Sequence, residues 1–587
     1  MQEIAAERSR ARTLPIILIA ALAQGWGLYF LDLAIRTDHW PATDPAWLIG
    51  LDAVAIFAPM TVQLLVEHAR RTSHWVFGGL MAAATFYFGW HYGTFVENRA
   101  TLPWHYFSLG FVLTVLWLLV LPFAQSALDS GWLNFEYRSL FTNAWRNKIA
   151  LAEAAIFTGL FWLLLSLWES LFQMLGIYFF KSLFDEPVFA YPVTTLVFGC
   201  ALHLIGSIDR LVSAVLEQIL NVLKWLATVS GLMLALFTIA LALDLPVLVS
   251  TGHWGLSATW LLWLVAVMVL LLNAAYRDGT VERPYPKWIA FSLRLVVPLM
   301  VVISFTALFA LIIRTRHYGL TVERIWAFIV AGAALMYSVG YSIAAVGRGK
   351  WLTGVARVNV FVAIALIATI AATLTGLFSP YRLSADSQYR LALEEQFETT
   401  PPQNSFGPLD YLRFNSGRYG RIKLQELTEL RNHPNAEHIR ELAAETLKKQ
   451  FPGESKPGPT PEELLAKAVI YPVGRTIDKN LLRTLVNDMQ KPDSGFAHLL
   501  PPDIVGIYVD LNGDGQDEFV LLTYNGGLAY EDHDGQWQFI GQVFRHSKAL
   551  TWDRLTADLA NSNITTAIPR WKQLVVGTEV FTVDKLE

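Results

Sequence analysis

Cysteine and charge are both scarce in this chain. Its 587 residues include one cysteine, Cys200, and 16% charged side chains. A single cysteine excludes an intrachain disulfide framework and a thiolate zinc site. Cys200 sits inside an apolar run and reads as a small buried hydrophobe. The formal net charge of −4 leaves nucleic-acid binding without an electrostatic basis. From Ser379-Pro380 onward no segment is long and apolar enough to cross a bilayer.

What precedes that point is the reverse. Up to Phe378 the chain is a train of long apolar segments, because backbone polar groups in lipid must be satisfied within the segment itself. About eleven spans are expected: 14–35, 46–66, 75–95, 105–124, 150–175, 188–208, 221–244, 256–275, 288–313, 325–346 and 354–378. Gly176–Phe184 is set apart as a re-entrant or interfacial segment. Arg8, Arg10 and Arg12 precede an apolar stretch that ends in a signal-peptidase-like Ala21-Leu22-Ala23. The stretch continues through Trp26 to Ile35, so it reads as a retained first helix. The fold class is therefore a polytopic α-helical membrane domain, residues 1–378, followed by a soluble α+β domain, residues 379–587.

Loop cations set the expected orientation. Arg70 and Arg71, then Arg138, Arg146 and Lys148, then Arg210 and Lys224 fall in alternate connections. Arg277, Arg283 and Lys287, then Arg348 and Lys350, continue the series. This places the N-terminus in the cytoplasm and, after eleven spans, the C-terminal domain outside it. Arg314, Arg316 and Arg324 break the rule on the opposite side, around His317-Tyr318-Gly319-Leu320. They read either as snorkelling helix ends or as a cationic contact for lipid headgroups or another anion. Asp32, Asp38, His39, Asp44, Asp52 and Glu97 fall on the same side, and His203 and His91 lie deeper. No two matching halves with broken helices mark a carrier.

The region after Pro380 has an amphipathic helix at 381–397, helices at 408–431 and 435–450, and a Pro-rich linker at 451–461. Short helices at 462–470 and 478–490 then lead to strands at 505–511, 518–525, 528–531 and 537–544, with a final pair near 572–583. Between the first two strands lies Asp510-Leu511-Asn512-Gly513-Asp514-Gly515-Gln516-Asp517-Glu518. Oxygen side chains at positions 1, 3, 5 and 9 suit a hard cation, Gly at 6 allows the tight turn, and Gln516 offers a backbone carbonyl. An EF-hand needs helical flanks and Glu at position 12, where this chain has Leu521. The loop therefore resembles the calcium-binding hairpin turn of integrin-type repeats, with Ca²⁺ expected to be structural. The alternative is an Asn-Gly/Asp-Gly turn that needs no metal.

Three segments, Asn273-Ala274-Ala275-Tyr276-Arg277-Asp278-Gly279, Tyr318-Gly319-Leu320-Thr321-Val322-Glu323-Arg324 and Ser379-Pro380-Tyr381-Arg382-Leu383-Ser384, resemble the bacterial membrane proteins grouped as domain-of-unknown-function family 4153. Gly176-Ile177-Tyr178-Phe179-Phe180 fits the same pattern. The resemblance implies a bacterial inner-membrane protein and carries no catalytic residues; with the orientation read from the loop cations, the C-terminal domain is expected in the periplasm. Thr321 reads as an N-cap with Arg324 at N3. Three function classes stay open: an anchor or sensor presenting the calcium-stiffened domain to an envelope protein partner, a transporter or channel, and an enzyme on lipid-linked substrate.

Overall fold

The computed structural model describes residues 2–66, 73–96, 102–130, 135–206, 209–251, 257–281, 284–347, 351–352, 354–394, 407–449, 468–489, 505–523, 526–533, 535–544, 559, 574–576 and 579–581. Arg70, Arg71, Glu97, Arg283, Arg348, Lys350, the 451–461 linker and residues 462–467 lie outside that set. The chain forms two compact units, Met1–Gly453 and Glu454–Glu587.

The first unit begins with α1 (Gln2–Thr37), α2 (Pro45–Leu65), α3 (Ser73–Gly93), α4 (Leu102–Ser130), α5 (Tyr137–Met174), the short α6 (Phe179–Asp185) and α7 (Pro187–Gly206). It continues with α8 (Asp209–Thr251), α9 (Ala258–Tyr276), α10 (Lys287–Val296), α11 (Leu299–Tyr318), α12 (Val322–Val346) and α13 (Val355–Thr373). Among the described residues ten helical stretches are long and apolar enough to cross a membrane, α10 and α11 counting as one stretch, Lys287–Tyr318. Pro298 divides that stretch, since proline has no amide proton to give the helix. Leu160, Leu163, Leu164 and Leu167 of α5 are exposed, as a lipid-facing row is.

The expected third span is not among the ten. Its helix, α3, carries Trp75, Tyr87, Trp90, His91 and Tyr92 among its apolar residues, which lowers its hydropathy. Its packing nonetheless follows α2 closely. A Cβ at Gly78 would sit 2.6 Å from Val62 Cγ2, one at Gly89 2.7 Å from the Ile49 carbonyl, and one at Gly93 2.5 Å from Ala46 Cα. These pairs run in opposite chain directions, so α3 lies antiparallel along α2 and traverses the same layer. Small residues at such contacts let backbones approach where lipid offers no hydrophobic drive.

After α13 come α14 (Pro380–Leu393), α15 (Pro408–Phe414), α16 (Gly417–Thr428) and α17 (Ala436–Lys448). The helix expected at 408–431 is broken at Asn415-Ser416, where Gly417 takes φ +52°. The four helices share a core of Ala385, Leu412, Leu424, Leu427 and Ile439. They belong to the first unit, so compactness divides the chain some seventy residues later than composition does. Composition marks where the chain leaves lipid; packing marks what it then lies against.

The second unit is a five-stranded sheet: β1 (Val469–Tyr471), β2 (Val505–Val509), β3 (Glu518–Thr523), β4 (Gly526–His533) and β5 (Gln536–Phe544), in that order. β1 is parallel to β2, and the other pairs are antiparallel. Residues 469 and 470 are strand, not the end of the helix expected over 462–470; pairing of Val469 with Val505 and Ile470 with Gly506 decides it. The helix α18 (Lys479–Met489) covers one sheet face, where Leu481 and Leu485 meet Phe519, Leu521, Leu528 and Tyr530. Tyr471, Val505, Ile507, Val520 and Ala529 form the other buried face, as the strand period of two requires. A separate hairpin pairs β6 (Leu574–Val576) with β7 (Glu579–Phe581).

Candidate functional site

The Asp510–Glu518 segment is a hairpin tip. β2 ends at Val509 and β3 begins at Glu518, with the two residues paired. Strand flanks and a buried Leu521 rule out EF-hand geometry for this loop. Gly513 and Gly515 take φ +82° and +86°, the left-handed region that glycine enters at no steric cost. The turns are built by the acidic side chains themselves. Asp510 accepts from the Gly513 amide at 2.6 Å and the Gly515 amide at 3.0 Å. Asn512 Oδ1 accepts from the Asp514 amide at 2.8 Å, and Asp514 Oδ1 from the Gln516 amide at 2.7 Å. Glu518 accepts from the Leu511 amide at 2.5 Å and from Asn512 Nδ2 at 3.0 Å.

This wrapping brings one oxygen each of Asp510, Asp514 and Glu518 within 4.8 Å of one another. Glu518 is 2% exposed, and among the described residues no lysine or arginine pairs with the three. Arg475 instead pairs with Asp517 at 2.7 Å. The donor set is all oxygen, which fits a hard cation. Of the five expected ligands the structure gathers three carboxylates. Asn512 spends its side chain on Asp514 and Glu518, and Gln516 contributes its amide to the turn.

The arginine cluster resolves differently. Arg324 Nη1 donates to the Tyr318 carbonyl at 2.9 Å and to the Gly319 carbonyl, and the guanidinium lies over the Tyr318 ring. It closes the end of α11, as a cation at a helix C-terminus does. Thr321 Oγ1 caps α12 by accepting from the Arg324 amide at 3.3 Å. Arg314 and Arg316 are exposed. The acidic groups expected on this side are used locally: Asp32 pairs with Arg36 at 2.8 Å, Asp44 caps α2, and Asp52 accepts from Tyr106 at 2.7 Å.

The loop at 318–322 is also where α14 and α15 dock. Gln388 Nε2 donates to the carbonyls of Tyr318 and Leu320, at 3.1 and 3.0 Å. The Leu320 amide donates to Ser387 Oγ at 2.9 Å, and the Val322 amide to Tyr411 OH at 2.8 Å. Tyr381 bonds Tyr92 at 2.8 Å, and the Arg418 amide donates to the Phe95 carbonyl at 3.3 Å. Burial and the neighbouring Glu323 push the Tyr411 phenol above its ordinary pKa.

At the other end of these helices Asn273 closes a ring of three. Asn359 Nδ2 donates to Asn273 Oδ1 at 2.5 Å, Asn273 Nδ2 to Tyr341 OH at 2.8 Å, and Tyr341 OH to Asn359 Oδ1 at 2.5 Å. Asn359 also donates to Tyr137 OH at 2.9 Å. The partners stand 68 and 86 residues from Asn273, and no local pattern in the sequence points to them. The Asn273 and Tyr318 segments lie at opposite ends of the helices and form no common site. Comparison of the chain with family models, curated proteins and solved structures finds no match, so the likeness to family 4153 rests on its short segments alone.

Proposed function

We propose that this protein is a non-catalytic membrane anchor or sensor that holds a calcium-stabilised domain outside the cytoplasm for an envelope partner. One observation carries the reading: three carboxylates, one of them buried, converge at a hairpin tip, and among the described residues no lysine or arginine pairs with them. Calcium is the hard cation abundant in extracytoplasmic space, where modules of this kind bind at about 10⁻⁴–10⁻³ M. The orientation is supported by Arg138, Arg277 and Lys287, at or near the ends of α5, α9 and α10 on the face away from α14–α17, and by Lys224, whose carbonyl accepts from Tyr285 near the start of α10. In the membrane body several polar side chains bond one another: Gln125 with Asn147, Ser304 with Ser338, and the Asn273 ring.

Two experiments test it. Calcium titrated into the purified full-length protein should bind with one high-occupancy site, lost in Asp514→Ala; binding unchanged in that variant would remove the loop from the account. For orientation, Asn432→Cys and Thr280→Cys, each on a Cys200→Ala background, are treated in intact cells with a membrane-impermeant maleimide. Labelling of position 432 alone supports the reading, and labelling of 280 alone reverses it.

A further inference from the structure

The first unit contains a second place where polar groups lack partners. A cavity of about 490 Å³ opens where the ends of α3, α4, α12 and α13 meet the docked α14 and α15. That volume is within the range of small-molecule sites, roughly 300–1,000 Å³. Ser379, 2% exposed, lines it, and its hydroxyl has no hydrogen-bond partner; Asn415 lines it too, with a buried and unpartnered Oδ1. A buried polar atom without a partner costs stability unless something bonds it. Both residues line the same space.

The wall has a polarity gradient. On α4 Ser108 lies at the shallow end and Val112 one turn deeper; on α12 Glu323 is shallow and Trp326 one turn deeper. The cavity therefore runs from a polar mouth under the docked helices to an apolar floor at the level of the acyl chains. Among the described residues Glu323 is the only carboxylate that lines it, and neither lysine nor arginine does. Asn415 Oδ1 and the Glu323 carboxylate both accept hydrogen bonds.

We propose that this cavity binds an amphiphile whose head supplies hydrogen-bond donors and bears no negative charge, such as the hydroxylated head of a neutral glycerolipid. The head bonds Ser379 and Asn415 beneath α14 and α15, and the chain lies against Leu109, Val112 and Trp326. An anionic head meets the Glu323 carboxylate inside the cavity, while the neighbouring Arg324 guanidinium is held on the Tyr318 and Gly319 carbonyls. The site is independent of the acidic loop and stands whether or not calcium binds there.

Two photoreactive probes with the same acyl chain and glycerol test it: a monoacylglycerol and its lysophosphatidate, differing by one phosphate. Each is added to the full-length protein in phosphatidylcholine nanodiscs, crosslinked, and mapped by peptide mass spectrometry. The monoacylglycerol should label peptides holding Leu109–Val112 and Trp326 about tenfold more than the lysophosphatidate. Leu109→Trp, which fills the cavity, should abolish that labelling. Ser379→Ala, a small change that keeps the packing, should reduce it severalfold. Equal labelling by the two probes overturns the charge preference. Labelling elsewhere, or undiminished in folded Ser379→Ala, overturns the site.

Discussion

Two regions follow the last membrane helix, and both are polar enough to live in water. Helices α14–α17 send polar side chains to the membrane helices: Gln388 and Ser387 bond the 318–320 loop, and Tyr411 and Tyr381 bond the starts or ends of α12 and α3. Residues 469–544 make a sheet that buries both faces within its own unit, against α18 on one side. The first region is held by polar bonds to helix ends that would otherwise carry unsatisfied backbone groups. The second is held by its own apolar core. A shared solvent therefore says nothing about a shared fold.

The difference is broken most strongly at Gly319. Its φ is +67°, and a Cβ there would lie 2.6 Å from Leu391 Cδ1 and 2.8 Å from Gln388 Nε2. Gly319→Leu should cost about 3–5 kcal/mol, from backbone strain and overpacking together. Hydrogen exchange should then rise across 380–428 and stay unchanged across 505–523. Asn359→Leu opens the ring on the opposite face and leaves Asn273 and Tyr341 short of a partner. The cost should be about 1–3 kcal/mol, read as a lower denaturant midpoint of the detergent-solubilised protein, again with the sheet unmoved. Gln388→Ala removes two bonds to the 318–320 carbonyls and should cost about 1–2 kcal/mol, read as faster local exchange at α14. Asp514→Ala acts on the other side of the comparison. With calcium at ten times its dissociation constant the loss should be about 1.4 kcal/mol larger than with chelator, where only the exposed turn bonds of Asp514 are removed.

The sequence was most informative where one local rule governs. Apolar length placed the helices from Ile16 to Ala372, and period-two alternation with Gly and Asp at the turn placed β2 and β3 on either side of the acidic loop. The Thr321 cap was legible for the same reason. Contacts between distant segments were not. Gln388 finds the Tyr318 carbonyl across 70 residues, and nothing in the amphipathic pattern of α14 distinguishes a docked face from a solvated one. Val469 and Ile470 read as helix because three apolar residues fit either period; pairing with β2 decides them. The Ser379 and Asn415 cavity was invisible for a further reason, since a void is a property of packing and has no residue of its own.

The most direct test is hydrogen exchange of the full-length protein in nanodiscs, followed by mass spectrometry, as calcium is raised from chelator to millimolar. Protection of 505–523 should increase, while 380–428 and the 318–324 loop stay as they were. No response at 505–523, or an equal response in both regions, would contradict the account of two separately held regions with a cation in one of them.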